Sequence, residues 1–252
     1  MDIQAHLDDY LAAKRQQRAD VFEDAASTSV LMFGVKYLCK HFYHLFDWYC
    51  MAYMSLMFRL KGPPADLAKT TGKLYADAID TYHMLWVVIT FLLYLIGWQI
   101  YYTEGETYSD WLLWIIPIGL CTYRIFEILA ALVEMYFRAS DSKHHQFRIL
   151  IHAALHYLAA GFAFALFYIF ADWGFESFTT ETDGKMVYQF DDWSEPIFNS
   201  LMTIVAFSGN DDPQNWQGKL LTLLELFLGF ILVTFIFLNI TQVWLGDRSE
   251  EK

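Results

Sequence analysis

Four stretches of this chain are each apolar over more length than a bilayer core needs. They are Tyr82 to Tyr102, Trp111 to Phe137, Ile149 to Ala171 and Leu220 to Leu245. A hydrocarbon core of ~30 Å is crossed by about 20 apolar residues of helix. Backbone polar groups in lipid have to be satisfied inside their own segment, so these stretches are expected to be helices. Composition agrees, with 56% hydrophobic residues, 19% aromatic residues and a mean hydropathy of +0.26. Tyr82, Trp98, Tyr101, Tyr102, Trp111, Trp114, Trp173, Trp216 and Trp244 stand at or near the ends of the stretches. That is the pattern of interfacial aromatic belts.

Charge between the spans sets an orientation. Residues 103–110 hold Glu104, Glu106 and Asp110 and no Lys or Arg. Residues 138–148 hold Arg138, Lys143 and Arg148 with His144 and His145. Residues 172–195 hold Asp172, Glu176, Glu181, Asp183, Asp191, Asp192 and Glu195 against a single Lys. The positive-inside rule puts 138–148 in the cytoplasm and the two acidic loops outside. A multi-pass protein of the inner cell membrane with both termini cytoplasmic is therefore expected, and Lys14, Arg15, Arg18, Lys61, Lys69 and Lys73 agree with that. The formal charge of -12 argues against nucleic acid as a partner of the whole surface. Cys39, Cys50 and Cys121 have no paired spacing, so neither a disulfide framework nor a Cys-based metal site is expected. The opening residues, MDIQAHLDDYLAAKRQQ, lack the apolar core of a cleavable signal peptide.

The N-terminal region reads as helical and cytoplasmic or interfacial. Ile3, Leu7 and Tyr10 recur at helical spacing, continued weakly by Gln17 and Val21. They suit a helix packing on a neighbouring subunit, or else a solvated tail. Residues 29–60 are aromatic-rich, and Lys36, Lys40, His44 and Asp47 fall on one helical face. The uncharged run after Asp47 is too short to cross, so an in-plane interfacial helix with that face toward the cytoplasm is expected. A kinked fifth span is the competing reading. Gly62-Pro63-Pro64 ends the element, and residues 65–80 form an amphipathic connector. The expected divisions are a helical region at 1–80, two peripheral spans in 81–147, a further module at 148–246 and a tail at 247–252.

The last module has an order of its own. Pro196 opens a short amphipathic helix that Ser194 can cap. Asp191, Asp192 and Glu195 crowd its positive end. A small polar loop, a second proline at Pro213 and the long apolar helix follow. Short helix, loop and span in that order is how a re-entrant segment is built. Irregular backbone at membrane depth survives only where protein covers it or where it lines water. The negative end of the short helix, near Val205, favours a cation in any cavity it faces.

Residues 190–245 resemble the pore module of small bacterial potassium-channel-like proteins with two pore-forming spans. Their pattern is roughly S-L-V-T-L-T-T-V-G-Y-G-D-I-T-P, then L-G-R-L-L-A-x-L-E-A-L-x-G-L. Ser200-Leu201-Met202-Thr203-Ile204 matches its first five positions, and Trp216-Gln217-Gly218 precedes Lys219-Leu220-Leu221, Glu225 and Gly229 in register. The resemblance implies an all-α membrane protein of four transmembrane helices plus a re-entrant pore helix. It implies a homotetramer around a central axis, with the third span as outer pore helix and residues 205–211 as selectivity filter. In that segment Val205 and Ala206 stand for two threonines, Phe207 for Val, Ser208 for the first Gly, Gly209 for Tyr and Asn210 for the second Gly. Asp211 matches, and one residue is missing before Pro213. A potassium filter needs glycines that accept unusual backbone angles. The AFSGND segment therefore implies a weakly selective pore for monovalent cations. Asp211 and Asp212, repeated by symmetry, make an acidic ring at the outer mouth, or else merely solvate a loop. Gly229 is a hinge or a close-packing residue, and Val233, Phe237 and Ile240 are candidates for a hydrophobic gate, Phe237 first. Asn239 is polar at the cytoplasmic end of the same helix. Glu225 sits where it can accept hydrogen bonds from behind the filter.

Ionisable residues inside spans are functional candidates by default. Arg124 and Glu127, three apart, form an intramembrane ion pair, with Glu134 two turns on; a lone Arg makes no voltage sensor. No catalytic residue, metal site or cofactor is assigned, and no enzyme activity is expected. The gating signal is left unassigned: it acts through residues 1–80, where a regulatory ligand or protein partner would bind, through the 138–148 loop, or through the membrane itself. Three further readings remain open. The chain is a channel-like effector of a bacterial defence or stress system, controlled by a partner or ligand. It is a haem-binding electron-transfer bundle using His152 and His156 with His83, His41 or His44. Or it is a non-conducting membrane scaffold.

Overall fold

The structure, a computed structural model, describes residues 3–26, 30–62, 66–102, 108–138, 143–175, 180–182, 185–187, 190, 192–206, 213 and 215–250. Among them are seven helices: α1 (Ile3–Ala26), α2 (Val30–Lys61), α3 (Leu67–Tyr102), α4 (Tyr108–Arg138), α5 (Lys143–Phe175), α6 (Glu195–Ala206) and α7 (Trp216–Glu250). Two strands of three residues, β1 (Thr180–Thr182) and β2 (Lys185–Val187), pair antiparallel with Glu181 opposite Met186. Four helical stretches are long and apolar enough to cross a membrane: Leu67–Tyr102, Leu112–Leu132, Arg148–Trp173 and Trp216–Thr234. They overlap the four expected spans, and apart from the short β1–β2 pair the described residues make a helical membrane protein.

The chain gathers into two compact units. One holds residues 1–85 and 129–140, the other residues 86–128 and 141–252. Helices α3 and α4 each contribute to both.

In the first unit α1 packs on α2. Leu7 and Leu11, one turn apart, are fully buried. Tyr10 meets Tyr75 of α3 edge-on at 5.6 Å between ring centroids, and a His6 ring nitrogen lies 3.2 Å from the Thr71 hydroxyl. Burial raises the pKa of the Tyr10 phenol, so it stays a neutral hydroxyl. From α2, Asp47, Cys50, Met54 and Phe58 turn inward at spacings of three and four. Phe46 joins them, its ring 5.1 Å from that of Tyr82. Gly62, at φ 75°, closes α2 by donating its N–H to the Phe58 carbonyl at 3.0 Å. Asp66 caps α3, its Oδ1 accepting the Lys69 N–H at 3.1 Å.

Two expectations are corrected here. Helix α1 packs on α2 of its own chain and is not solvated throughout, because Leu11 completes a stripe that the Ile3–Leu7–Tyr10 register passed over. Asp47 does not share an outward basic face with His44. Its carboxylate, 3% exposed as a residue, turns to α1 and accepts a hydrogen bond from Arg15 Nε at 2.7 Å.

In the second unit α5 is the most enclosed span, with 61% of its apolar window buried against 28–39% in the other three. Ala153, Ala159, Ala160, Ala163 and Ala165 have no exposed surface and let neighbouring helices come close. Around them Tyr94, Trp114, Cys121, Leu166, Tyr168, Ile169 and Phe190 form the core. Trp114 packs its ring on Phe170 and Trp173, at 5.2 and 5.7 Å. Asp172, counted above with the acidic outer loop, belongs to α5. It is wholly buried and accepts a hydrogen bond from the Tyr101 hydroxyl at 2.8 Å.

Replacing Leu11 with Ala removes a fully buried side chain and should weaken α1 docking by about 2–4 kcal/mol. Amide exchange across residues 3–20 should then speed up; unchanged exchange would contradict this packing.

Candidate functional site around the short helix

The turn before α6 is organised by Asp192. Its carbonyl accepts the Glu195 N–H at 3.1 Å, and its Oδ1 accepts the Ser194 N–H, also at 3.1 Å. The Ser194 carbonyl then takes the Phe198 N–H at 2.9 Å, which starts the helix. The helix is amphipathic in the sense opposite to that of a soluble surface helix. It buries Asn199, Ser200 and Thr203, and exposes Phe198 (58%), Met202 (42%) and Val205 (52%).

The polar side of α6 meets α5 and α7. The Tyr157 hydroxyl of α5 donates to the Leu201 carbonyl at 2.8 Å. Gly161 gives the Leu201 side chain room that a methyl group would take. On α7, a Cβ added at Gly229 would lie 2.6 Å from the Ile204 carbonyl oxygen and 2.9 Å from its Cα. Close approach of two backbones thus accounts for glycine at this position. One turn earlier, the fully buried Glu225 carboxylate accepts hydrogen bonds from Ser200 Oγ of α6 and from the Tyr168 hydroxyl of α5. A single acid ties three helices.

These contacts fix levels along the helices. Asn215 caps α7, its Oδ1 accepting the Gly218 N–H at 3.0 Å while its Nδ2 donates to the Phe175 carbonyl at 2.8 Å. The start of α7 is therefore beside the end of α5. Ser200 of α6 meets Glu225, and Ile204 meets Gly229, so α6 and α7 run in the same direction. Gly229 lies about 20 Å along α7 from Trp216 at 1.5 Å per residue. The Tyr94 hydroxyl donates to the Trp193 carbonyl, ~12 Å before the end of α3 at Tyr102 by the same rise. Residues 207–215 join the far end of α6 to the start of α7; extended, such a length reaches ~30 Å.

Of the expected filter residues, Val205 and Ala206 are still helical, closing α6. Phe207, Ser208, Gly209, Asn210, Asp211 and Asp212 lie outside the described residues. Among the gate candidates, Val233 is half-buried and Phe237 is 65% exposed, on an apolar stripe of α7 with Leu220, Leu223, Phe227 and Phe230. Ile240 and Asn239 belong to α7, their side chains outside the described set. Tyr168 and Tyr157 escaped the sequence reading, which placed Asp192 at the positive end of the short helix but not as the residue that shapes its turn. A hydroxyl inside an apolar run is the one signal the two tyrosines carry.

The Arg124–Glu127 pair is present and fully buried, Nη1 to Oε2 at 2.7 Å. Arg124 Nη2 also lies 3.1 Å from His156 Nδ1 of α5, and the guanidinium stands 5.4 Å from the Trp86 ring centroid of α3. A guanidinium only donates, so that imidazole nitrogen accepts and its lone pair is engaged. His156 is thereby poorly placed to serve haem through Nδ1. The side chain of His41 is outside the described set. Among the described residues no group of three or more His, Cys, Asp or Glu is placed to hold a metal ion. No protein-family model, curated protein or solved structure matches this chain.

Glu225→Ala should strand two buried hydroxyls at about 1–3 kcal/mol each, and Glu225→Gln should do less harm. Gly229→Val should push α6 off α7. Melting of the purified protein in detergent should fall in the order wild type, Glu225→Gln, Glu225→Ala; equal melting of all three would contradict the clamp.

Proposed function

We propose that the chain is one subunit of a tetrameric cation channel of the pore-loop type, set in the inner cell membrane with both termini cytoplasmic. The observation that carries this reading is the level of α6. Its last turn lies beside Gly229, and the chain is back at Trp216 within the residues 207–215. Helix α6 has 12 residues, ~18 Å of helix against a core of ~30 Å, too short to cross. In a bilayer its carbonyl end would be stranded in hydrocarbon unless protein or water covers it. A water-filled axis between subunits meets that need. One loop cannot enclose a pore, so several copies are required, and the resemblance of residues 190–245 makes the number four.

Each part then has a role. The negative end of α6 favours a cation in the cavity. Residues 205–211 form a filter without the paired glycines of a potassium filter, so discrimination among monovalent cations is weak. Asp211 and Asp212 ring the outer mouth and concentrate cations. Glu225 holds α6, and with it the filter, against α5 and α7. Phe237 lines the narrow cytoplasmic half as a hydrophobic gate. Gating is assigned to a ligand or partner of the first unit, because α3 and α4 are continuous from it into the second.

Planar-bilayer recording of the purified protein tests this. Cation-selective unitary currents with little K⁺ over Na⁺ preference are expected. Replacing Asp211 and Asp212 with Asn should lower conductance severalfold at low salt and little at high salt, where the acids are screened. No current under any condition, or anion selectivity, would overturn the proposal.

A further inference from the structure

Arg124 is shared by three helices, and one of its bonds can exist in a single protonation state. Its Nη1 donates to Glu127 Oε2 at 2.7 Å, its guanidinium stands 5.4 Å from the Trp86 ring centroid of α3, and its Nη2 lies 3.1 Å from His156 Nδ1 of α5. Arg124 and His156 have no exposed surface, and Glu127 is buried with them. A guanidinium has donors and no acceptor, so His156 Nδ1 makes this bond only while it is bare. An imidazolium carries a proton on both nitrogens and has nothing left to accept with. Glu127 already balances the charge of Arg124. A proton on His156 would therefore leave an unmatched cation among apolar helices, at hydrogen-bond distance from a guanidinium. Bridge and proton exclude each other.

The bridge is also mechanical. Helix α5 packs closely on α6 and α7. Helix α4 reaches α5 through long side chains, Trp114 on Phe170 and Trp173 near one end and Arg124 on His156 further along. The surroundings of the imidazole come from several elements. Helix α4 brings Arg124, Glu127 and Tyr123, whose ring lies 6.1 Å from that of Trp86. Helix α5 itself carries the buried His152 one turn before His156, and the half-buried Arg148 one turn before that. Helix α3 brings the uncharged Trp86, with His83 one turn before it on that helix. Toward α6 and α7 the acid is Glu225, already bound to Ser200 and Tyr168. We propose that His156 is a proton-binding site that latches α4 to α5 when empty and releases it when filled. In the released form the ring meets water and takes up a proton at the ordinary value of ~6.5. Below that value each unit of pH favours release over the latched form by about tenfold. Acid therefore loosens α4 from α5, and neutral or alkaline conditions hold it.

The test uses the full chain with Cys39, Cys50 and Cys121 replaced by Ala. Nitroxides are placed through new cysteines at Gly119 of α4, where an added Cβ meets nothing within 4 Å, and at the exposed Ile151 of α5. Labelled protein is diluted with unlabelled protein in phosphatidylcholine vesicles, and pulsed electron resonance gives the distance between labels near pH 8 and near pH 5. The proposal expects a narrow distribution near pH 8 and a longer or broader one near pH 5. His156→Asn should abolish the change. Asn carries its oxygen on Cγ, where His carries Nδ1, so it can accept from Arg124 and does not titrate. His152→Asn should keep the change. A distribution indifferent to pH overturns the proposal. So does a change that survives in His156→Asn, which would assign the proton to Glu127 or another group, and so does one lost in His152→Asn. If the cysteine-free protein does not fold, nitrogen NMR of the wild type with isotope-labelled histidine rings decides, the His156 signals being those missing from His156→Asn. A bare Nδ1 near pH 8 that is protonated near pH 5 supports the latch; Nδ1 protonated near pH 8, or bare at both, overturns it. None of these readouts depends on ionic current, so the latch and the channel proposal can fail separately.

Discussion

A carboxylate buried among apolar helices is costly by several kcal/mol unless its oxygens are hydrogen-bonded. Glu225 meets that condition with two hydroxyls that come from two other helices, Ser200 of α6 and Tyr168 of α5. Sliding any of the three helices would strand either the acid or a hydroxyl. The register of α5, α6 and α7 follows from this one group, and Gly161 and Gly229 then let the backbones close to contact distance. The short helix owes its place to those few atoms. Whatever the segment after it does in the membrane depends on where they hold it.

The same logic recurs at two other places. Arg124 binds Glu127 on its own helix, His156 on α5 and the Trp86 ring on α3, which brings three spans to one guanidinium. Asp47 takes Arg15 and so joins α2 to α1. In each case an ionisable side chain in apolar surroundings is satisfied from a helix distant in sequence. Apolar contact between helices in lipid is weakly directional, because lipid tails are as apolar as Leu. Hydrogen-bonded polar groups supply the register that apolar packing leaves loose.

This explains which features could be read from the sequence. Span positions follow from length and hydropathy within one helix, and they were legible. So was the Arg124–Glu127 pair, which is a spacing of three on one face, and so was the start of α6 at the Ser194-Glu195-Pro196 signal. Partners across helices were not. Asp172 looked like a solvated loop acid because sign and position near a span end are all that its neighbourhood reveals; Tyr101, which buries it, lies 71 residues away. Asp47 fell on a basic face by spacing, but its orientation was decided by Arg15, 32 residues distant. Glu225 was legible as an acid with a role, yet not the identity of its donor Tyr168, and Gly229 was ambiguous until Ile204 was beside it.

The central claim is that α6 enters the membrane from one side and that the chain returns to that same side before α7 begins. Single cysteines at Asp192 and Trp216, both exposed and flanking the excursion, test it in a background without the native cysteines. The protein is inserted in vesicles of known orientation and treated with a membrane-impermeant maleimide from one side at a time. The account predicts labelling of both positions from the same, extracellular side and of neither from the other. Labelling of the two from opposite sides would make α6 part of a crossing and would contradict it.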